Sequence, residues 1–121
     1  TTRAMLQRLV WKELKSNVPV VLGGESQGGC VALDFAARKG GEALAGVVTC
    51  VAHRLFVSSL QPLACPWFAL TARSDAIFPK QWARTEGAAT HTEVDGGHHL
   101  TDTSRSEHLS TVLAEVRNRC S

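Results

Sequence analysis

Three side chains in this sequence have the types and settings that nucleophilic catalysis needs: Ser26, Asp75 and His98. Ser26 is the centre of Gly24-Glu25-Ser26-Gln27-Gly28-Gly29, a G-x-S-x-G pattern set between an apolar run and a helical pattern. A serine hydroxyl is a weak nucleophile at neutral pH. It needs a base within hydrogen-bond reach, and the base needs a carboxylate to orient it. Asp75 and His98 follow later in the chain, each just beyond a predicted strand. The glycines have a steric task in such a pattern. A sharp strand-to-helix turn strains the serine backbone, and side chains two residues to either side would collide with neighbouring chain. Gly24 and Gly28 are expected to remove those side chains.

Other readings of the same residues stay open at this level. The glycine-rich turn could lack chemistry or cradle a phosphate, although no G-x-x-x-x-G-K-[ST] is present and the next lysine is Lys39. The glycine spacing does not match a dinucleotide fingerprint. Asp75 could cap a following helix, and His98 could be a plain loop histidine. His98, His99, Asp95 and Asp102 could hold a metal, but they lack helical ligand spacing. His98 is preferred to His99 as the base because it directly follows the Gly96-Gly97 turn. His53, His91 and His108 read as surface residues, and Glu25 as facing solvent or a neighbouring loop.

These residues need a scaffold that gathers them. Apolar runs at Val18 to Gly23, 43–51 and 66–72 predict buried strands, and alternation over 90–94 predicts an edge strand. Helices are expected over 2–16, with Met5, Leu6, Leu9, Val10 and Leu14 as the inward stripe, and over 28–39, ended by Gly40-Gly41. A short helix opened by Pro79 should run to Gly87. A last helix capped by Thr103 or Ser104 should reach Arg119, with Leu109, Val112, Leu113 and Val116 inward. Residues 53–64 read as a loop or short helix. Strands alternating with helices predict an α/β fold: about four parallel strands with helices on both faces. In such a sheet, active groups collect at the carboxyl ends of the strands.

Composition sets the limits. The 121 residues suit one domain, 1–121, and 44% hydrophobic with 20% charged residues is ordinary for a globular chain. A net charge of +2 with scattered basic residues gives no basis for nucleic-acid binding. No run is long and apolar enough to span a membrane, and no signal peptide is visible. Cys30, Cys50, Cys65 and Cys120 form no C-x-x-C pair; the first two read as small buried hydrophobes, and a cytoplasmic or other reducing compartment is favoured. The chain opens in a helical pattern without an initiator methionine, which hints at a processed or partial chain.

Taken together, Gly24-Glu25-Ser26-Gln27-Gly28-Gly29, the Asp75-Ala76-Ile77-Phe78-Pro79 turn and Gly96-Gly97-His98 resemble the phospholipase/carboxylesterase branch of the α/β-hydrolases, which includes the acyl-protein thioesterases. The order Ser, Asp, His is that of the α/β-hydrolase arrangement. The resemblance runs from about residue 1 to 119. It implies Ser26 as nucleophile, Asp75 as orienting acid, His98 as base and the backbone N–H of Gln27 as an oxyanion donor, with no cofactor and no metal. Glu25 stands where the family usually has an aromatic residue or histidine, and Phe78 where it usually has valine.

The chain covers only the C-terminal half of that family's pattern. About four strands would precede the first helix here, and one of their loops would carry the second oxyanion N–H. The edge along Val18 to Gly23 is therefore expected to meet a partner protein or a missing N-terminal half. Two functional expectations follow. One is a serine hydrolase acting on small carboxylic esters or acyl thioesters. The other is a catalytically reduced hydrolase half serving as a structural or interaction subunit of a larger assembly.

Overall fold

Four strands in the computed structural model form one parallel sheet in the order β1-β2-β3-β4. They are β1 (Val21–Glu25), β2 (Gly46–Cys50), β3 (Trp67–Ala72) and β4 (Thr90–Val94). Among the described residues three α-helices flank them: α1 (Thr2–Leu14), α2 (Gln27–Ala37) and α3 (Asp102–Cys120). The structure describes residues 2–38, 41–54, 63–78 and 87–120. Most of the helix expected from Pro79 and most of the segment expected as a loop or short helix lie outside the described residues.

The sheet is covered on both faces, because alternate strand residues point opposite ways. Val47, Trp67 and Ala69 face α1 and α2, where they pack with Val10, Ala32, Leu33, Phe35 and Ala36. Val48 and Phe68, one residue along in each strand, face α3 and pack with Val112 and Val116. A third cluster of Val51, Leu70, Ala72 and Leu100 lies under the carboxyl ends of the strands. Central β3 is buried throughout, and Trp67 Nε1 donates to Thr49 Oγ1 at 2.8 Å, so the indole nitrogen stays paired in the core.

Several boundaries and burial assignments differ from the sequence expectation. The first strand is shifted to Val21–Glu25 and is only half-buried, because among the described residues it pairs with β2 alone. Val18 lies before it and is 62% exposed. In α1 the inward line is Leu6, Val10 and Leu14, and Met5 and Leu9 are exposed. That helix touches the core along one edge of its apolar stripe. In α3 the buried line is His108, Val112 and Val116, and Leu109 and Leu113 are exposed. The helix reaches the sheet through a narrow i, i+4 contact on Val48 and Phe68, too thin for the wider stripe.

Chain ends of the helices also depart from expectation. Thr101, not Thr103 or Ser104, opens α3: its Oγ1 accepts the Ser104 N–H at 3.1 Å, and its carbonyl accepts the Arg105 N–H. Helix α2 ends at Ala37 with Arg38 extended, its N–H bonded to the Phe35 carbonyl. Gly41 lies in a 3-10 turn packed so close to Ala36 that a Cβ would fall 2.1 Å from the Ala36 carbonyl oxygen. Buried Asp34 on α2 is paired with both Arg3 of α1 and Arg38, each at 3.1 Å, which ties the two helices together.

Candidate active site

Ser26 is the residue between β1 and α2, and its backbone is strained, with φ 52° and ψ −123°. A serine at a helix N-cap ordinarily gives its oxygen to the first free N–H groups. Here the side chain makes no capping bond. Two backbone bonds hold the turn instead: Ser26 N–H to the Cys50 carbonyl at 2.9 Å, and Cys30 N–H to the Ser26 carbonyl at 3.0 Å. The Cys30 bond opens the helical ladder, so the Gln27 N–H sits at the positive end of α2, ahead of that ladder.

Only one of the two motif glycines carries the steric load expected of both. A Cβ on Gly24 would lie 2.4 Å from the Gly28 backbone and 2.6 Å from the Gly29 nitrogen. A Cβ on Gly28 would meet nothing within 4 Å. It borders a cavity of about 420 Å³ between α1, β1 and α2, which also reaches Gln27. The second tight position is Gly29, where a Cβ would come 2.5 Å from Ala52 Cβ. Ala52 gets that close because Val51 turns the chain sharply after β2. Val51 has φ 44°, a costly value for a β-branched residue, and it is buried with its N–H on the Leu70 carbonyl at 2.8 Å.

The acid and the histidine are delivered by the next two strand ends. Asp75 follows β3 and His98 follows β4, and backbone bonds zip their loops together: Arg73 N–H to the Val94 carbonyl at 2.8 Å and Ser74 N–H to the Gly96 carbonyl at 2.9 Å. The Arg73 guanidinium adds ion pairs to Asp95 and, at 3.6 Å, to Glu93. Gly96 takes φ 108°, a conformation that favours glycine, and this turns the chain back over the sheet.

The three side chains meet. Ser26 Oγ is 2.7 Å from His98 Nε2. His98 Nδ1 is 3.0 Å from Asp75 Oδ2 and 3.2 Å from Oδ1. A ring nitrogen facing a carboxylate must carry its proton, so Nδ1 donates to Asp75 and Nε2 is left to accept from the Ser26 hydroxyl. The Asp75 side chain is 1% exposed and that of His98 13%. Burial pushes the Asp75 carboxyl up, but N–H donation from Phe78, His98 and Ile77 outweighs it and holds the group below its ordinary value. Asp75 therefore both caps its own turn and orients His98. His99 is exposed, its ring 5.7 Å from that of His98. Phe78 stands edge-on to His98 at 5.4 Å and against His53 at 4.6 Å.

Glu25 is exposed as the sequence implied, but other polar residues fall elsewhere. Glu25 accepts from Arg105 Nε at 2.7 Å, so it faces α3. His108 is buried, not on the surface, with Nε2 3.3 Å from the Phe68 carbonyl. Half-buried His91 is 2.6 Å from Thr71 Oγ1. Cys50 is half-buried, and burial, then the Glu25 charge, pushes its thiol up to about 11, which keeps it protonated beside Ser26. All four cysteines are free thiols. Among the described residues no group of three or more His, Cys, Asp or Glu is gathered for a metal, and no helix is long and apolar enough to cross a membrane.

No protein-family model and no curated protein sequence matches the chain. Solved structures do. An alpha/beta hydrolase enzyme from the metagenome of Mar Chica lagoon sediments, Morocco, is 17% identical over 98% of this chain and 69% of its own, with a TM-score of 0.73. The fold is that of part of an α/β-hydrolase. An alpha-beta serine hydrolase homologue from Coxiella burnetii is 19% identical over 94% of this chain and 56% of its own, at a TM-score of 0.62. A thermophilic esterase from Thermogutta terrifontis is 18% identical over 91% and 68%, at 0.56. At these identities the likeness is one of fold. In this sheet, Ser26, Asp75 and His98 follow the carboxyl ends of β1, β3 and β4.

Proposed function

We propose that the chain is the catalytic part of a serine hydrolase that cleaves carboxylic esters or thioesters through an acyl-enzyme on Ser26. The observation that carries this is the continuous relay from Ser26 Oγ to His98 Nε2 at 2.7 Å and from His98 Nδ1 to Asp75 at 3.0 Å. In the proposed cycle Ser26 Oγ attacks the substrate carbonyl carbon as its proton passes to His98 Nε2. The tetrahedral oxyanion rests on the Gln27 N–H. Collapse breaks the bond to the leaving alkoxide or thiolate, which takes the proton from His98. Water then attacks the acyl-enzyme with His98 as base, releasing the acid and restoring Ser26. Asp75 stays ionised and keeps the imidazole in the tautomer this needs. The solved structures that share the fold include enzymes described as an esterase and as an alpha/beta hydrolase, which agrees with this reading.

The site as described holds one oxyanion donor of this kind. Loss of one such donor costs on the order of 100- to 1,000-fold in rate. A further segment or partner protein along Val18 to Gly23 would supply the other. Three features support that occupant: β1 has one strand neighbour among the described residues, Met5, Leu9, Trp11 and Val18 are exposed by half or more, and the cavity beside Gln27 opens there. The same features favour the second reading, an interaction subunit whose triad is unused.

A fluorophosphonate probe separates the two. In the hydrolase, Ser26 becomes covalently labelled and Ser26→Ala abolishes both labelling and aryl-ester turnover without unfolding the protein. Full activity in Ser26→Ala, or no labelling of the natural protein with all its flanking chain and partners, would overturn the proposal.

A further inference from the structure

The proposed reaction leaves one ion pair beside Ser26 without a task. Glu25 closes β1 and is bonded directly to Ser26 in the chain. Its Oε1 accepts from Arg105 Nε at 2.7 Å, across a separation of 80 residues. Arg105 lies in the first turn of α3, where its Nη1 also donates to Asp102 Oδ1 at 2.9 Å. The short stretch from His98 to Arg105 is braced at Leu100 and Thr101. Leu100 is buried against Val51, Leu70 and Ala72. Thr101 caps the helix through Ser104 N–H and Arg105 N–H. A closed ring therefore runs from Ser26 through Glu25, Arg105, the start of α3 and Leu100 to His98, and back to Ser26 Oγ.

We infer that the Glu25–Arg105 pair is a positioning clamp that sets the separation of Ser26 from His98. The inference rests on reading those two residues as nucleophile and base. A bland alternative is a surface ion pair, and the side chains are indeed 39% and 38% exposed. Exposed pairs contribute little to stability. Place in the ring distinguishes this one. Asp75 fixes the orientation of the imidazole but not how far the Ser26 turn stands from the histidine loop. The Ser26 turn is strained and is held by its backbone bonds to Cys50 and Cys30, and the Glu25–Arg105 pair ties it to the segment that follows His98. A drift of about 1 Å between reacting groups costs on the order of 100-fold in rate. Arg105 has a second effect. It neutralises a carboxylate on the residue before Ser26, and an unpaired Glu25 would oppose the negative charge that forms on the substrate oxygen at the Gln27 N–H.

The test is a double-mutant cycle on the natural protein with any flanking chain it has, read by ester hydrolysis and fluorophosphonate labelling. The clamp predicts that Glu25→Ala lowers kcat about tenfold and Arg105→Ala, which leaves the carboxylate unpaired, about thirtyfold, with KM within about twofold. The double variant should be no worse than the worse single one. Glu25→Gln, which keeps the acceptor, should stay within about threefold of the parent. Circular dichroism checks folding, and should an alanine variant unfold, Glu25→Met and Arg105→Met, which remove the pair but keep the side-chain length, carry the cycle. Additive losses, losses confined to KM, or no loss in variants of a protein that labels normally would overturn the clamp alone. A natural protein that never labels would remove the hydrolase reading and the clamp with it.

Discussion

Gly24→Ala and Gly28→Ala should behave in opposite ways, although the two glycines occupy matching places around Ser26. At Gly24 the new methyl would lie 2.4 Å from the Gly28 carbonyl group and 2.6 Å from the Gly29 nitrogen, where ordinary contact begins near 3.4 Å. All of these are backbone atoms, so no rotamer change relieves the clash. The turn must open by about 1 Å, and overpacking of this kind costs about 1–3 kcal/mol. For a chain of this size that is a melting temperature lower by about 5–15 °C. The same displacement acts on Ser26, so labelling should slow on the order of 100-fold. At Gly28 no atom lies within 4 Å of the added methyl, and the residue is helical. Ala there should leave labelling within about twofold and raise stability by up to about 0.5–1 kcal/mol. Paired thermal melts and labelling time courses read both quantities. Equal damage from the two substitutions, or a Gly24→Ala protein that labels at the parental rate, would refute the reasoning.

Asp75→Asn should keep the fold and reduce turnover on the order of 10,000-fold, because the amide no longer holds His98 in the Nδ1–H tautomer; stopped-flow or steady-state ester hydrolysis measures it, and a loss under tenfold would remove Asp75 from the relay. His108 is held below its ordinary pKa, chiefly by burial, so the unfolded chain binds the proton more readily. Its contribution to stability is complete above about pH 6.5 and falls as pH drops below that value. Urea midpoints at pH 7.5 and 5.5 should differ more for the parent than for His108→Gln, and equal differences would exclude His108 as the source. Light scattering of the isolated chain should show concentration-dependent association through the β1 edge, and a stable monomer at micromolar concentration would count against a partner or further segment there.

The serine, carboxylate and histidine of the proposed relay were legible because each stands beside a turn signal. Ser26 is flanked by Gly24 and Gly28, Asp75 precedes a proline, and His98 follows Gly96-Gly97. Strand against helix was legible from run length and alternation, which is why β4 falls on 90–94 as expected and β3 misses by one residue. Burial within the helices was less so. A helical stripe records what apolar surface exists, not how much of it a neighbour covers, so Met5, Leu9, Leu109 and Leu113 read as core and are exposed.

Everything that depends on contact between distant segments needed the tertiary structure. The sequence placed three groups after three strands; the parallel register of β1 to β4 and the bond from Ser74 to Gly96 brought them to 2.7 and 3.0 Å. It marked Glu25 as charged; only the approach of α3 across 80 residues made it the partner of Arg105. It put His108 on a surface, because a lone histidine among Glu107 and Ser110 carries no periodic signal, and only the packing of α3 on Phe68 buried it. Local chemistry selects turn residues and element types over a few residues. Which face is covered, and which polar atoms find each other, is decided by long-range packing that no window of sequence contains.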